Sequence, residues 1–219
     1  MDRLFELQGE FWVAAVETLY MVALTLLIGG FAGLVLGTVL YTTRPGSLLS
    51  NRGVYNVVNV VINFFRPIPF IIFIAAVQPL SRLVIGTGIG NNALIFALSL
   101  AASFAIARIV EQNLLTVSPG VIEAARSMGA GPLRILLTIV IPEALGPLIL
   151  GYTFVLVAIV DMTAVAGLVG GGGLGTFAQV YGYRQFEPVI TWAAVLLIVA
   201  FVQGVQFFGN WLARKVLRR

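Results

Sequence analysis

The sequence predicts an all-α polytopic membrane protein. It reads as five transmembrane helices in one domain covering residues 1–219, with a short cytoplasmic helix between the third and fourth. Three observations carry this prediction. The 219 residues are 59% hydrophobic and only 10% charged, whereas a soluble chain carries about 25% charged residues. The apolar residues gather into charge-free runs near the length a bilayer demands, about 20 residues per helix. Most of the remaining charges fall between those runs and are chiefly arginine. This pattern excludes an ordinary soluble enzyme, a nucleic-acid-binding domain and a disordered tail.

Residue counts exclude further chemistry. The chain has no cysteine and no histidine, so it lacks thiol nucleophiles, disulfides, imidazole bases and nitrogen or sulfur metal ligands. Its only lysine is Lys215, so no phosphate-binding G-x-x-x-x-G-K-[ST] loop is possible. No metal and no cofactor of its own is expected, and any ATP-driven step needs an ATPase on another chain. The net charge of +4 fits an anionic lipid leaflet better than nucleic acid in so apolar a chain.

Taken in order, residues 1–11 hold Asp2, Glu6 and Glu10 against Arg3, which does not fit a cleavable signal peptide. They read either as a short interfacial helix, with Glu6, Glu10 and Glu17 at helical spacing, or as a solvated tail. The first span is expected at about 15–42, inside the charge-free run Thr18 to Thr43. The second, about 54–81, is interrupted by Arg66 and is expected to bend at Arg66-Pro67-Ile68-Pro69. The third is expected at about 88–112, the fourth at about 140–166 and the fifth at about 188–213. Gly29, Gly33 and Gly37 in the first span, and Ala93, Ala97, Ala101 and Ala105 in the third, recur every four residues. Small residues at that spacing let helix backbones approach closely in lipid.

The basic residues set the orientation. Nine fall on the side of the C-terminal tail: Arg44, Arg52, Arg108, Arg126, Arg134, Arg214, Lys215, Arg218 and Arg219. Three, Arg3, Arg82 and Arg184, fall on the other. The N-terminus is therefore expected outside and the C-terminus in the cytoplasm.

Between the third and fourth spans, at about 118–135, Ser118 suits a helix N-cap, Pro119 its first turn and Gly129 a left-handed stop. Val121, Ala125 and Met128 then share one face. A helix this short can lay that face in a groove on a partner protein or serve as an interfacial connector; local physics does not choose. The run Glu123-Ala124-Ala125, Gly129, Ile139, Ile141-Pro142 resembles the EAA signature of ABC importer permeases, with Ile141 in place of the usual leucine. That resemblance implies a coupling helix docked on an ATPase subunit, with Glu123, Ala124, Ala125, Met128, Gly129, Ile139 and Pro142 as its residues. Thr43-Arg44-Pro45-Gly46, the stretch Asn63 to Ile72, Gly167 to Gly175 and Val180-Tyr181-Gly182-Tyr183 are similar to the methionine branch of those permeases, over about residues 20–215. Two departures stand out: Pro67 where that branch has serine, and Asp161 to Val165 before the glycines.

The resemblance implies the membrane subunit of an importer for methionine or a related amino acid in a bacterial cytoplasmic (inner) membrane. Its partners would be two ATPase subunits that bind the ATP, a second copy of the chain, an extracytoplasmic substrate-binding protein and the lipid bilayer. The rival class is a secondary amino-acid transporter driven by an ion gradient, which calls for inverted repeats and ion-ligating broken helices.

Six further positions invite a pathway or gate role. Asp161, placed deep in the fourth span, needs a partner or water; it is expected to line the pathway, to pair with Arg66 or Arg108, or to lie shallower than that placement. Arg66 sits at the helix break, with a structural role or a pathway role open to it. Gly170 and Gly171 belong either to a flexible external loop or, as the resemblance favours, to a close-packed turn near an outer gate. Met162 and Val165 fit an apolar gate or the core equally.

Overall fold

The computed structural model describes residues 2–217; Arg218 and Arg219 of the basic tail lie outside the described residues. Among the described residues, four helical segments are long and apolar enough to cross a membrane, or five if one sharply bent pair counts as a span.

A short helix α1 (Asp2–Glu6) leads into α2 (Gln8–Thr43). At 36 residues α2 is ~54 Å long, well beyond the ~30 Å hydrocarbon core. Of the segment 1–11, residues 2–6 form a short helix of their own, α1, and the spanning helix α2 already takes in residues 8–17. The latter prolong the first spanning helix, because nothing in Gln8 to Glu17 interrupts the backbone ladder. Next come α3 (Arg52–Phe65) and α4 (Phe70–Ile85), whose axes differ by 116° across the turn at residues 66–69. Pro67 and Pro69 withhold the amides that would continue the helix, and the bend falls at the expected place. Helix α5 (Gly90–Leu114) follows.

Helices α2 and α5 form the spine of the molecule. A Cβ on Gly29 would lie 2.6 Å from the Ser99 carbonyl oxygen, and one on Gly33 would lie 2.6 Å from Ile106 Cβ. A Cβ on Gly37 would meet Val110 at the same distance. Hydrogen at those three positions is what lets the two backbones touch. The pairing also gives direction, since rising numbers on α2 meet rising numbers on α5. The helices run parallel, so the chain between them returns across the bundle. The face of α5 that receives the glycines is Ser99, Ala102, Ser103, Ile106 and Val110. The alanine stripe lies elsewhere: Ala93 and Ala97 pack against Met21 and Ile74, and Ala101 lies against Phe104 and Phe73.

After α5 comes the short helix α6 (Pro119–Ser127), then α7 (Pro132–Ile135), a π-helical turn (Leu136–Val140) and α8 (Ile141–Thr163). These last three form one continuous span, Pro132–Thr163. The extra residue in the turn has a local cause. The Ile141 N–H reaches five residues back to the Leu136 carbonyl, and Pro142 has no N–H with which to resume the ladder. A 3₁₀ turn at Ala166–Val169 leads to α9 (Leu174–Phe177), and α10 (Pro188–Leu217) closes the bundle. The largest core cluster runs through α2, α5, α6 and α8, from Val22 and Tyr41 through Ile106, Val110 and Ala125 to Ile159.

Candidate functional site

At the α6 end of the bundle, the chain arrives from α5 and leaves into Pro132–Thr163. Pro119 occupies the first turn of α6, as its fixed φ favours. Ser118 holds the N-cap position, but its hydroxyl accepts no backbone N–H. At the far end Gly129 has φ +82°, and the Ala130 N–H donates to the Ala125 carbonyl at 3.1 Å. This left-handed stop needs glycine, and it redirects the chain straight into the next span.

The expected common face of Val121, Ala125 and Met128 is not formed. Ala125 is 1% exposed and belongs to the central core, with Leu114, Val117 and Ile135 around it. Met128 is 81% exposed, while Glu123 and Ala124 are exposed beside it. Ile122, half-buried next to Ala125, turns the inner face of α6 toward its own chain. The reason is tertiary: α6 lies on the ends of α5 and α7, so the residues facing them are consumed there. What remains outside is a ridge of Glu123, Ala124 and Met128. A cavity of about 340 Å³ separates α6 from the connection after α2, lined by Tyr41, Arg44, Leu48, Ile122, Glu123 and Arg126. Ile139 and Pro142 belong to the fourth spanning helix. Ile139 is half-buried against the central core and Pro142 is exposed.

The glycine-rich stretch lies at the opposite end, beside the start of α5 and the outer part of α2. Gly170 has φ +68° and Gly173 φ +94°, and the Gly171 N–H donates to the Ala166 carbonyl at 2.9 Å. The turn is clasped from outside. Glu17 accepts from Asn91 Nδ2 at 3.2 Å through Oε1 and from the Gly173 N–H at 2.8 Å through Oε2. Asn91 Oδ1 accepts from the Gly172 N–H at 2.7 Å, and Thr18 Oγ1 accepts from the Leu174 N–H at 2.8 Å. A Cβ on Gly172 would strike the Glu17 carboxylate. The flexible-loop reading of this stretch is therefore replaced by a packed, hydrogen-bonded turn.

Asp161 takes the shallower of its expected positions: it is exposed in the last turn of α8, because that helix stops at Thr163. It pairs with neither Arg66 nor Arg108, and no ion pair to Arg66 occurs among the described residues. Met162 is half-buried against the cluster of Met21, Ile74 and Leu94, and Val165 is half-buried at the start of the turn.

Arg108 lies inside α5. Its Nη1 donates to Glu111 Oε2 at 2.6 Å, and its Nη2 donates to Asn59 Oδ1 and Asn63 Oδ1, each at 2.7 Å. Glu111 is almost wholly buried. Sequence reasoning missed this network and the Glu17 clasp. Asn56, Asn59 and Asn63 at helical spacing in an otherwise apolar run were the available signal for the first. For the clasp, only the helical spacing of Glu17 with Glu10 pointed to an organised site.

Comparison with known proteins reaches the same place. Residues 29–218 match the family model described as "Binding-protein-dependent transport system inner membrane component". A probable D-methionine transport system permease protein MetI of Vibrio cholerae is 39% identical over 203 residues, spanning 93% of this chain and 90% of its own. The methionine import system permease protein MetP of Bacillus subtilis is 39% identical over 210 residues, spanning 96% and 95%. In solved structures, a chain of the inward-facing MetNI methionine ABC transporter superposes with a TM-score of 0.92 at 37% identity, over 96% of this chain and 98% of that one. With the signature loop, the parallel glycine-packed spine and a match over nearly its whole length, this chain belongs to the inner-membrane component family of binding-protein-dependent transport systems.

Proposed function

We propose that the chain is the membrane-spanning subunit of an ATP-driven importer of methionine in the bacterial inner membrane. Two copies would act together, with two ATPase subunits docked at the α6 end and an extracytoplasmic substrate-binding protein at the glycine-turn end. The bias of basic residues supports the α6 end and the carboxyl terminus as cytoplasmic. The observation that carries the reading is the signature loop itself, with Met128 standing 81% exposed beside Glu123 and Ala124. The names of the relatives support methionine as the cargo.

The chain makes and breaks no covalent bond; its task is mechanical. Ala125 anchors α6 in the core shared by α5 and the fourth spanning helix, so a push on the Met128 ridge moves those helices as one body rather than bending a loop. Closure of two ATPase subunits would bring the two α6 helices together and open the spans toward the outside. Hydrolysis would let them return.

Vesicles holding the chain with its ATPase should take up labelled methionine only when ATP is supplied, and competition by methionine stereoisomers and other amino acids should define the cargo. Met128→Asp should weaken ATPase association about 30-fold, as loss of a central interface side chain does, with thermal stability unchanged. Uptake that persists without ATP, or that Met128→Asp leaves intact, would refute the reading.

A further inference from the structure

We infer that α3 does not cross the membrane but lies in the plane of the leaflet at the α6 end, with one face seated among lipid acyl chains. Four observations lead there. First, α3 turns 116° away from α4, so it cannot extend that helix across the bilayer. Second, α2 and α5 run parallel, so the chain between them must return across the bundle, and α4, whose 16 residues reach ~24 Å, covers most of the ~30 Å hydrocarbon core. Third, α3 starts and stays at the level of the last turns of α2. The Leu49 N–H donates to the Thr42 carbonyl and the Asn51 N–H to the Thr43 carbonyl, each at 2.9 Å. Farther along α3, Ile62 packs in one cluster with Leu40 and Ala107.

The fourth observation is the distribution of side chains around α3, which falls into three sectors. Ile62 is the only buried residue and, with Val58 and Phe65, faces the bundle. Next to that sector runs a polar stripe of Asn56, Asn59 and Asn63, of which Asn59 and Asn63 are held to α5 by Arg108. The remaining sector holds Val57, Val60 and Phe64, which are 65%, 64% and 66% exposed. An amphipathic helix with its apolar sector bare and its polar sector turned the other way is the form that rests in a membrane interface, ~5–10 Å deep. Arg52 and Arg66, at the two ends of the helix and both exposed, are placed to meet anionic headgroups. This inference depends neither on methionine nor on an ATPase partner.

The chain has no native cysteine, which makes site labelling direct. Single variants Gly53→Cys, Asn56→Cys, Val57→Cys and Phe64→Cys of the full chain are placed in vesicles of phosphatidylcholine and phosphatidylglycerol. Each carries a bimane label, quenched by lipids with nitroxides at defined acyl depths. Positions 53 and 64 should lie within about 7 Å of one another in depth, against about 16 Å for a helix along the bilayer normal. The label at Val57→Cys should be quenched by lipid, while Asn56→Cys should react with a water-soluble maleimide. A depth difference near the larger value would overturn the inference. So would labels at 57 and 64 that lipid quenchers cannot reach, which would mean that protein covers this face.

Discussion

Replacing Glu17 by glutamine tests whether the glycine turn is held by a specific pattern of donors and acceptors. Both groups facing the Glu17 carboxylate are donors: Asn91 Nδ2 and the Gly173 N–H. Glutamine offers one oxygen and one NH₂, so one donor must face another. Rotating the Asn91 amide only moves the conflict, because its Oδ1 is needed by the Gly172 N–H. An unmet donor of this kind costs about 1–3 kcal/mol, or roughly 5- to 150-fold in the equilibrium between closed and open turn at about 1.4 kcal/mol per tenfold. Hydrogen exchange at the amides of Gly172, Gly173 and Leu174 should accelerate by a factor in that range, and ATP-driven uptake should fall with it. The pairing also predicts its own repair. In the double variant Glu17→Gln with Asn91→Asp, the new carboxylate accepts from both Gly172 and the glutamine NH₂, leaving the glutamine oxygen for Gly173. Asn91→Asp alone sets two carboxylates together and should be worse than either. A double variant no better than Glu17→Gln, or single variants with unchanged exchange, would refute the reasoning.

Two further outcomes follow from the packing. Gly33→Leu forces a side chain into the space of Ile106, only 2.6 Å from the position of a Cβ. It should destabilise the chain by at least the ~1–3 kcal/mol typical of overpacking, read as a lower thermal midpoint in detergent. Arg108→Ala leaves Glu111 buried without its guanidinium partner, at a cost of about 3–5 kcal/mol. Arg108→Gln combined with Glu111→Gln should recover most of that stability in the same assay, and an Arg108→Ala chain as stable as the parent would contradict the role given to the pair.

The two ends of the protein were legible in the sequence to different degrees. The left-handed stop at Gly129 and the bend at Arg66 to Pro69 follow from backbone preferences of glycine and proline, which act within a few residues. The existence of the apolar helices follows from bilayer thickness and needs no partner either. The orientation of the α6 face was not legible, because burial of Ala125 depends on Leu114 and Ile135 arriving from two other helices. The partners of the small-residue stripes were not legible for a related reason. Spacing marks a face able to pack closely, and Ala93 and Ala97 are indeed buried, but it does not say that the glycines of α2 meet Ser99, Ala102 and Ile106.

The sequence by itself thus determined a membrane bundle, a signature loop between two spans, and the positions where the backbone must turn. Those features are set by composition and by interactions between near neighbours in the chain. Only the tertiary structure decided which charges are paired. It brought Glu17 to Asn91 and Gly173, 74 and 156 residues away, joined Arg108 to two asparagines of α3, and left Asp161 exposed. Such pairings depend on how helices stack in three dimensions. Helical periodicity says which side of a helix a residue occupies, but not what stands opposite it.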